Sequence, residues 1–316
     1  MFSDCHEDFC LSLAKYLKQQ QGRIDWNQNS QSIGEAFVKS INSFKSNFPP
    51  VETQNINNHE SKFAGAYVFN FINFNYTDTL YQCINAVKNN KLNIGNRVFA
   101  NASHTSSIGQ LYNVNGTVDN YMVFGVNDET QISDKTIFES YSAEYMGQLI
   151  KSETDRLNGQ NTYNNVKELI SKSDFIYIYG MSTGITDKRW WEMICEWLLL
   201  DNNHQLFIHK HSAPERGLIP RKYATYEKKM RDEFLLLSKL QYDEMAKCIE
   251  SIHIDRENIF EELYDLVNLT SRQPVKLSDY LLKEELESMD DGKIKEAFDK
   301  AYKATPYEED KAPALK

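Results

Sequence analysis

Residues 166–200, VKELISKSDFIYIYGMSTGITDKRWWEMICEWLLL, are the stretch that decides the fold. The apolar, β-branched and aromatic run at 175–179 shows little alternation, which is typical of a strand buried on both faces of a parallel sheet. The small residues of 180–184 predict a turn, and the Thr-Asp pair that follows can cap a helix over 188–200. Strand, turn and capped helix in this order predict an open α/β sheet, in which ligands bind at the carboxyl ends of the strands.

The turn after this strand has two explanations. Gly180 and Gly184 would let a phosphate approach the start of the helix, where free N–H groups favour anions. A tight turn without a ligand explains the same glycines, because a lone glycine-rich turn is a weak signal. The three tryptophans of the helix predict core packing, with stacking on a nucleotide base as the alternative.

A second strand–turn–helix unit begins at residue 67 with an aromatic, β-branched strand, and its helix is predicted over 79–88. Asn75 and Asp78 fall at the carboxyl end of the strand, where a side chain can reach a ligand. Helix capping by Thr77 or Asp78, and a turn at Asn75, would also explain these residues. The unit therefore predicts a second parallel strand and a candidate site.

A third motif, residues 108–127, reads as two strands around a turn. Its strands are predicted at 110–114 and 121–126, and Asn115-Gly116 is a strong turn signal. The other predicted elements are helices at 2–21, around 33–44, within 133–160, over 222–250 and at 260–266, and strands at 205–209 and 252–254. Pro49-Pro50 is predicted to end the second of these helices.

Composition limits the classes of function. The chain has 316 residues, 41% of them hydrophobic, and a net charge of −10, which argues against extensive nucleic-acid binding. The five cysteines are scattered without a CxxC pair, so neither a disulfide framework nor a zinc site is predicted. The acidic amino terminus is unlike a secretory signal, and no apolar run approaches the length of a membrane span. We therefore expect a cytoplasmic protein without membrane contact.

The three motifs together resemble the phage abortive-infection AbiH family, which looks like a divergent branch of the sirtuin-like, NAD-binding α/β fold of bacterial antiviral defence. They are FINFNYTDTL (71–80), LYNVNGTVDNYMVFGVND (111–128) and SDFIYIYGMSTGITDKRWWEMICEWL (173–198). The resemblance covers roughly residues 1–266. It implies a three-layer, Rossmann-like, mainly parallel sheet in a domain over 1–270, followed by a helical to disordered C-terminal tail over 271–316.

The resemblance also implies roles for residues of the first motif. Asn75 matches the asparagine that contacts the nicotinamide ribose and positions water in sirtuin-like enzymes. Thr77 or Asp78 falls near the position of the family's acid, with the spacing stretched by one residue for Asp78, and Thr77 is assigned to cofactor binding. Asp78 would steady the positive charge that develops on the sugar.

In the third motif, Gly180 and Ser182 match a Gly-x-Ser that lines the NAD pocket, and Thr183 follows them. Asp187 matches the acid after that turn. The resemblance thus implies that Gly180, Ser182, Thr183 and Asp187 bind the cofactor, and no residue is assigned to a metal.

Two departures from the family's pattern bear on catalysis. Relatives carry His-Gly where this chain has Asn115-Gly116; the histidine serves as general base, and asparagine cannot take a proton at neutral pH. Asn115 is retained as a catalytic candidate and Gly116 as a cofactor-binding one, and His104 is a candidate replacement base. Relatives also open with a strand and a Gly-Asn-Gly-Phe-Asp phosphate loop, and the chain as given begins just past that point.

Two further groups of residues have the spacing of a metal site and of a serine-hydrolase site. His209 and His211 follow a strand and share a face, a spacing that suits a metal although no third ligand stands nearby. Ser182 also satisfies the Gly-x-Ser-x-Gly spacing of a serine hydrolase, with His253 and Asp255 as nominal partners.

The function predicted from these observations is anti-phage abortive infection by a protein that binds NAD or a related nucleotide and hydrolyses NAD at the nicotinamide–ribose bond. The alternative is a catalytically inactive nucleotide-sensing or protein-interaction module on the same scaffold. A nucleotide is the expected ligand, and self-association and a phage-derived trigger are both left open as partners.

Overall fold

The computed structural model describes residues 2–127, 129–132, 149–157, 159, 161–211 and 220–270. Ten helices lie in these ranges: α1 Phe2–Gln21, α2 Ser30–Asn42, α3 Pro50–Glu60, α4 Thr79–Asn89, α5 Lys151–Leu157, α6 Thr162–Ser171, α7 Lys188–Leu200, α8 Pro220–Leu235, α9 Tyr242–Cys248 and α10 Glu261–Thr270. The predicted tail over 271–316 lies outside the described residues. None of the described helices is long and apolar enough to cross a membrane.

Seven strands lie in the same ranges: β1 Val68–Asn73, β2 Asn96–Phe99, β3 Ala102–Thr105, β4 Ser107–Asn113, β5 Phe175–Ile178, β6 Gln205–His209 and β7 Ile252–Asp255. β1 pairs in parallel with β4, and β5, β6 and β7 form a three-stranded parallel sheet in that order. β2 and β3 form an antiparallel hairpin. The described chain is thus a mixed α/β protein with two small parallel sheets.

The two strand–turn–helix units predicted from the sequence are confirmed. β1 and α4 form the unit that begins near residue 67, and β5 and α7 form the unit within 166–200. The run at 175–179 supplies β5, and the predicted helix over 188–200 is α7, with Asp187 at its N-cap position. β6 is the predicted strand, and β7 extends the predicted strand by one residue. β6 and β7 are buried along their whole length, which fits the apolar residues of each strand, and their buried polar residues Gln205, His253 and Asp255 are hydrogen-bonded.

Three apolar clusters hold these elements, and the smallest consists of Phe44, Phe48, Ile56 and Phe207. The largest packs the buried face of α7, including Trp191, Ile194 and Trp197, against β5, β6 and β7. The second packs α2 against α4, and Phe69 and Phe71 of β1 join it. The tryptophans of α7 are therefore core residues, as predicted.

The predicted pair of strands around Asn115-Gly116 is wrong in its second half. β4 ends at Asn113 and pairs in parallel with β1, and residues 121–126 make two isolated bridges instead of a strand. The backbone of this segment bonds to different partners: the Val123 N–H donates to the Asn115 carbonyl and the Val126 N–H to the Leu149 carbonyl. A continuous ladder cannot form between two such partners.

Two helical boundaries and one hairpin also differ from prediction. Pro50 opens α3 instead of ending a helix, because proline lacks only an N–H that the first turn leaves unpaired. The predicted helix over 222–250 is divided into α8 and α9, and the second begins with a capping box between Gln241 and Glu244. The hairpin of β2 and β3 was not predicted; positive φ angles at Ala100 and Asn101 form its turn.

Candidate functional site

The carboxyl ends of β1 and β5 open onto one crevice. A cavity of about 770 Å³ runs between these two strands, and its lining includes Asn75 and Thr77 after β1, and Tyr179 and Met181 after β5. β1 and β5 are edge strands of two separate parallel sheets. From β1 the chain continues to β4 on one side, and from β5 it continues to β6 and β7 on the other, so the crevice lies where the strand order reverses. That is the position at which open α/β sheets bind their ligands.

A hydrogen-bonded asparagine shapes the loop after β1. Asn73 is buried, and its Nδ2 donates to Oδ1 of Asn113 on β4 (2.8 Å) and to the backbone carbonyls of Asn75 and Thr77. Its Oδ1 accepts from the Asn75 N–H at 3.1 Å. The side chain of Asn75 is exposed in consequence. Asn73 was not singled out in the sequence, where only its position as the last residue of a strand could have drawn attention to it.

Asp78 occupies the N-cap position of α4 without making a side-chain cap. Its Oδ2 accepts from Nε2 of Gln82 at 2.6 Å, and its backbone N–H donates to Oε1 of Gln21. Its Oδ1 is buried and has no hydrogen-bond partner among the described residues. A buried carboxylate oxygen without a donor is costly. Asp78 is not among the residues that line the cavity, although its neighbours Thr77 and Thr79 are.

Asn115 and Gly116 serve the structure of the loop after β4. Nδ2 of Asn115, which is buried, donates to the Phe74 carbonyl at 2.9 Å and so joins the ends of β4 and β1. Gly116 has a φ of +69°, and a Cβ built there would stand 1.5 Å from the Tyr121 carbonyl oxygen. Neither residue lies among those lining the cavity. The asparagine that replaces the family's histidine is therefore engaged as a structural donor.

The turn after β5 is held from two sides. Gly180 has a φ of +67° with open space around it, and the carbonyl of Gly184 accepts from Nε1 of Trp191 at 2.9 Å. Oγ1 of Thr183 accepts from Nζ of Lys210 at 3.1 Å, and burial lowers the pKa of this lysine. Ser182 between them is exposed.

Asp187 forms a shielded ion pair with Lys151, at 3.0 Å between Oδ1 and Nζ. Both side chains are mostly buried, with 17% and 14% of their surface exposed. Burial raises the pKa of Tyr76 to about 12, and the charges of Asp187 and Cys10 add to the shift. Asp187 therefore lies within electrostatic reach of the first motif, and its charge is already balanced by Lys151.

The second and third motifs also meet directly. Nδ2 of the buried Asn127 donates to the Thr186 carbonyl, and Nε2 of Gln131 donates to the Ile185 carbonyl at 2.7 Å. Phe74 packs edge-on to Trp190 and stacks on Trp191. The three motifs thus converge on one region, but among the candidate site residues only Asn75 and Thr77 line the cavity.

The structure does not bring Ser182, His253 and Asp255 together as a serine-hydrolase triad. Both ring nitrogens of His253 are engaged, Nδ1 with Glu52 and Nε2 with Gln205, and Asp255 accepts from the Tyr177 hydroxyl. His253 is thus held away from any role as a base for Ser182. These contacts make His253 and Asp255 structural residues instead of members of a hydrolase triad.

Of the other candidate histidines, His104 lies away from the crevice and His209 lies against Tyr179 of its lining. His104 pairs with Arg97 in the β2–β3 hairpin, and Arg97 donates to the Gly65 carbonyl before β1, so His104 belongs to the opposite end of that strand from the crevice. His209 stacks on Tyr179, and burial together with the charge of His211 lowers its pKa. No group of three or more His, Cys, Asp or Glu side chains suited to a metal ion occurs within the described ranges.

The fold is that of a mixed α/β protein with a crevice at the carboxyl ends of β1 and β5. The family model of bacteriophage abortive infection AbiH matches residues 3–209, well over half of the chain. The chain belongs to this family, and its membership indicates a role in phage abortive infection. No curated protein and no solved structure matches the chain.

Proposed function

We propose that this AbiH-family protein acts in the cytoplasm by binding NAD, or a related nucleotide, in the crevice between β1 and β5 and by hydrolysing the nicotinamide–ribose bond. Depletion of NAD would then stop phage multiplication together with the host cell. On this proposal the two parallel sheets belong to one three-layer, Rossmann-like arrangement of the sirtuin-like type.

The observation that carries the proposal is the pair of free polar groups at the end of β1. The exposed carboxamide of Asn75 stands at the cavity, and Oδ1 of Asp78 is buried without a donor three residues later. The N-terminus of α4 begins directly after them and offers unpaired N–H groups. A nucleotide would supply ribose hydroxyl donors for the carboxylate and phosphate acceptors for the helix.

The reaction requires one water molecule. The bond between C1′ of the ribose and the ring nitrogen breaks, and nicotinamide leaves with the electron pair. The water oxygen bonds to C1′ and loses its proton to solvent, giving ADP-ribose. Asn75 would orient the water and the ribose, and the negative charge of Asp78 would stabilise the positive charge that develops on the sugar.

The groups after β5 would hold the cofactor. Ser182 is exposed and can donate to a phosphate, and Thr183 is already fixed by Lys210. Asp187 would act through its ion pair by fixing Lys151 instead of by direct contact. The positive φ of Gly180 lets the backbone turn away from the crevice at this point.

A second candidate is a nucleotide sensor without catalysis. Asn115 favours it, because this side chain cannot accept a proton and donates to the Phe74 carbonyl. General-base catalysis contributes about 10²- to 10⁴-fold, so a protein without a base would bind NAD and turn it over slowly.

Release of nicotinamide from NAD by the purified protein tests the proposal. We expect wild type to consume NAD, Asn75→Ala to lose at least tenfold in rate, and both to melt at the same temperature without ligand. Asn89→Ala is the matched control, since Asn89 is also exposed but ends α4, about 16 Å from its start by helical rise. Equal rates for wild type and Asn75→Ala would refute the site. An NAD-dependent rise in melting temperature without turnover would establish the sensor, and neither turnover nor a shift would exclude both.

A further inference from the structure

Lys210 places an ammonium group beside the turn that follows β5. It is the first residue after β6, and its backbone N–H donates to the Asp255 carbonyl at 2.7 Å, which continues the ladder with β7. Its Nζ donates to Oγ1 of Thr183 at 3.1 Å. Because β5 and β6 are parallel, this contact lies at the carboxyl ends of two neighbouring strands, where α/β sheets bind their ligands.

The charge of Lys210 is not balanced by a carboxylate among the described residues. The hydroxyl of Thr183, to which its Nζ donates, is neutral. Glu233 of α8 acts on Lys210 through its charge, but this carboxylate already pairs with Lys229 at 3.5 Å. Burial lowers the pKa of Lys210 because the charged ammonium loses hydration there. An anion bound beside Nζ would restore the lost stabilisation of the charge.

Three other cations at or near this turn have partners. Lys151 pairs with Asp187, Lys188 pairs with Glu192, and Arg189 lies over the ring of Tyr163. Burial and the charge of His211 lower the pKa of His209, and Lys210 adds to the shift, so the ring of His209 is neutral at about pH 7. Within this described part of the chain, Lys210 therefore carries the charge that lacks a counter-ion.

Gly184 leaves a small open position in the same turn. A Cβ built on Gly184 would have Oγ of Ser182 and Oγ1 of Thr186 as its nearest neighbours, each at 3.8 Å. The two hydroxyls therefore flank the space that the missing side chain leaves open. The N–H groups of Ser182 and Thr183 donate to no backbone carbonyl of the residues that the structure describes. The turn thus presents hydroxyl and N–H donors around one open position, which we call the Gly184 cradle.

We propose that Lys210 and the Gly184 cradle bind a phosphate group of the nucleotide. The inference rests on the proposed function, because it assigns one part of the same ligand. Nζ of Lys210 would supply the positive charge, and the hydroxyls of Ser182 and Thr186 and the free N–H groups would donate to the phosphate oxygens. Phosphate oxygens accept from several directions and suit a lysine as a point charge, whereas a planar carboxylate is matched best by the fork of an arginine.

Binding of pyrophosphate to the full chain, measured by calorimetry, tests the site without a nucleotide. Acetate at equal ionic strength is the control anion, and we expect it not to bind. Hydrogen bonds to a charged group contribute about 1.5–3 kcal/mol, so Lys210→Met should weaken pyrophosphate binding about tenfold or more. Lys210→Arg keeps the charge and should retain most of the affinity. Lys167→Met removes the same charge from an exposed position of α6 and should bind as wild type does.

Gly184→Ala tests the cradle separately from the charge. The φ of Gly184 is −86°, which any residue adopts, and the added Cβ would meet ordinary contacts at 3.8 Å. We therefore expect the variant to melt at the wild-type temperature without ligand. Its Cβ would nevertheless occupy the space between the hydroxyls of Ser182 and Thr186, so its affinity for pyrophosphate should fall about tenfold, the equivalent of about 1.4 kcal/mol.

Three results would overturn the proposal: no binding of pyrophosphate by wild type, equal affinities for wild type and Lys210→Met, and equal losses in Lys210→Met and Lys167→Met. NAD and nicotinamide riboside then relate the site to the nucleotide. Lys210→Met should weaken NAD and leave nicotinamide riboside, which has no phosphate, unchanged. NAD binding that is insensitive to Lys210→Met would refute this site and leave the proposed function standing. Pyrophosphate binding that depends on Lys210, without binding of NAD, would confirm the anion site and refute the nucleotide as its ligand.

Discussion

Replacing Gly116 by alanine is expected to destabilise the protein far more than replacing Gly180 by alanine, although the two glycines have nearly the same backbone conformation. Their φ angles are +69° and +67°. The left-handed region costs a residue with a Cβ about 1–2 kcal/mol, and the stiffer unfolded chain returns about 0.4–1 kcal/mol. Gly180→Ala adds no contact within 4 Å, so we expect a loss of about 1 kcal/mol.

At Gly116 the added Cβ would stand 1.5 Å from the Tyr121 carbonyl oxygen, where ordinary contacts begin at 3.4 Å. The two backbones would have to separate by about 2 Å, and the neighbouring bond from the Val123 N–H to the Asn115 carbonyl, 2.9 Å long, would break. An unsatisfied backbone group adds about 1–3 kcal/mol. With the net backbone cost of about 1 kcal/mol, the expected loss at Gly116 is therefore about 2–4 kcal/mol.

Urea unfolding followed by tryptophan fluorescence measures both losses, provided that the dependence on urea has the same slope in both variants. Gly116→Ala should shift the midpoint several times further than Gly180→Ala. Losses equal to within about 0.5 kcal/mol would show that the loop after β4 moves freely, and the close approach of Gly116 to Tyr121 would then not constrain the fold.

Two further predictions concern buried ion pairs. Lys151→Met leaves Asp187 buried without its partner, so we expect a loss of about 2–4 kcal/mol in the free energy of unfolding. Lys172→Met removes one member of the exposed pair with Glu168 and should leave the urea midpoint nearly unchanged. Equal losses in the two variants would refute the shielding of the Lys151–Asp187 pair. Burial alone would raise the pKa of Glu60, but its partners, Lys45 foremost, hold it below the ordinary 4.5. The carboxylate of Glu60 therefore contributes its whole stabilisation above about pH 4.5, and this stabilisation is lost as the pH falls through the lowered pKa of the folded state. Urea unfolding of Glu60→Gln should accordingly show the largest loss of unfolding free energy at about pH 7 and a smaller loss at about pH 3. A loss independent of pH would contradict this.

Local composition correctly predicted the strands and helices whose burial follows from their own apolar residues. The run at 175–179 and the helix over 188–200 are apolar where they are buried, so period and composition indicate them without knowledge of any neighbour. The prediction for residues 115–126 was wrong because their hydrogen bonds go to residues distant in sequence, such as Leu149. Sequence motifs also identified AbiH membership, since the family model matches the region that contains them.

For the candidate site, the sequence predicted which residues follow the strands, because Asn75 and Ser182 come directly after apolar runs. Only the tertiary structure showed which of their side chains are free. Asn115 is used by the Phe74 carbonyl and Asp187 by Lys151, whereas Oδ1 of Asp78 has no donor among the described residues. Whether a polar atom is available to a ligand depends on partners that periodicity does not reveal.

The cavity between β1 and β5 was likewise visible only in the tertiary structure. The sequence contains two apolar strands, and each by itself fits a sheet that is paired on both sides. β4 and β6 each pair with one edge of β1 and β5, and side chains of α2 and α7 line the space between the two strands. Apolar composition specifies that a strand is buried, but hydrogen-bond pairing across a sheet depends on which strands stand beside it in space, and that is a property of the assembled chain.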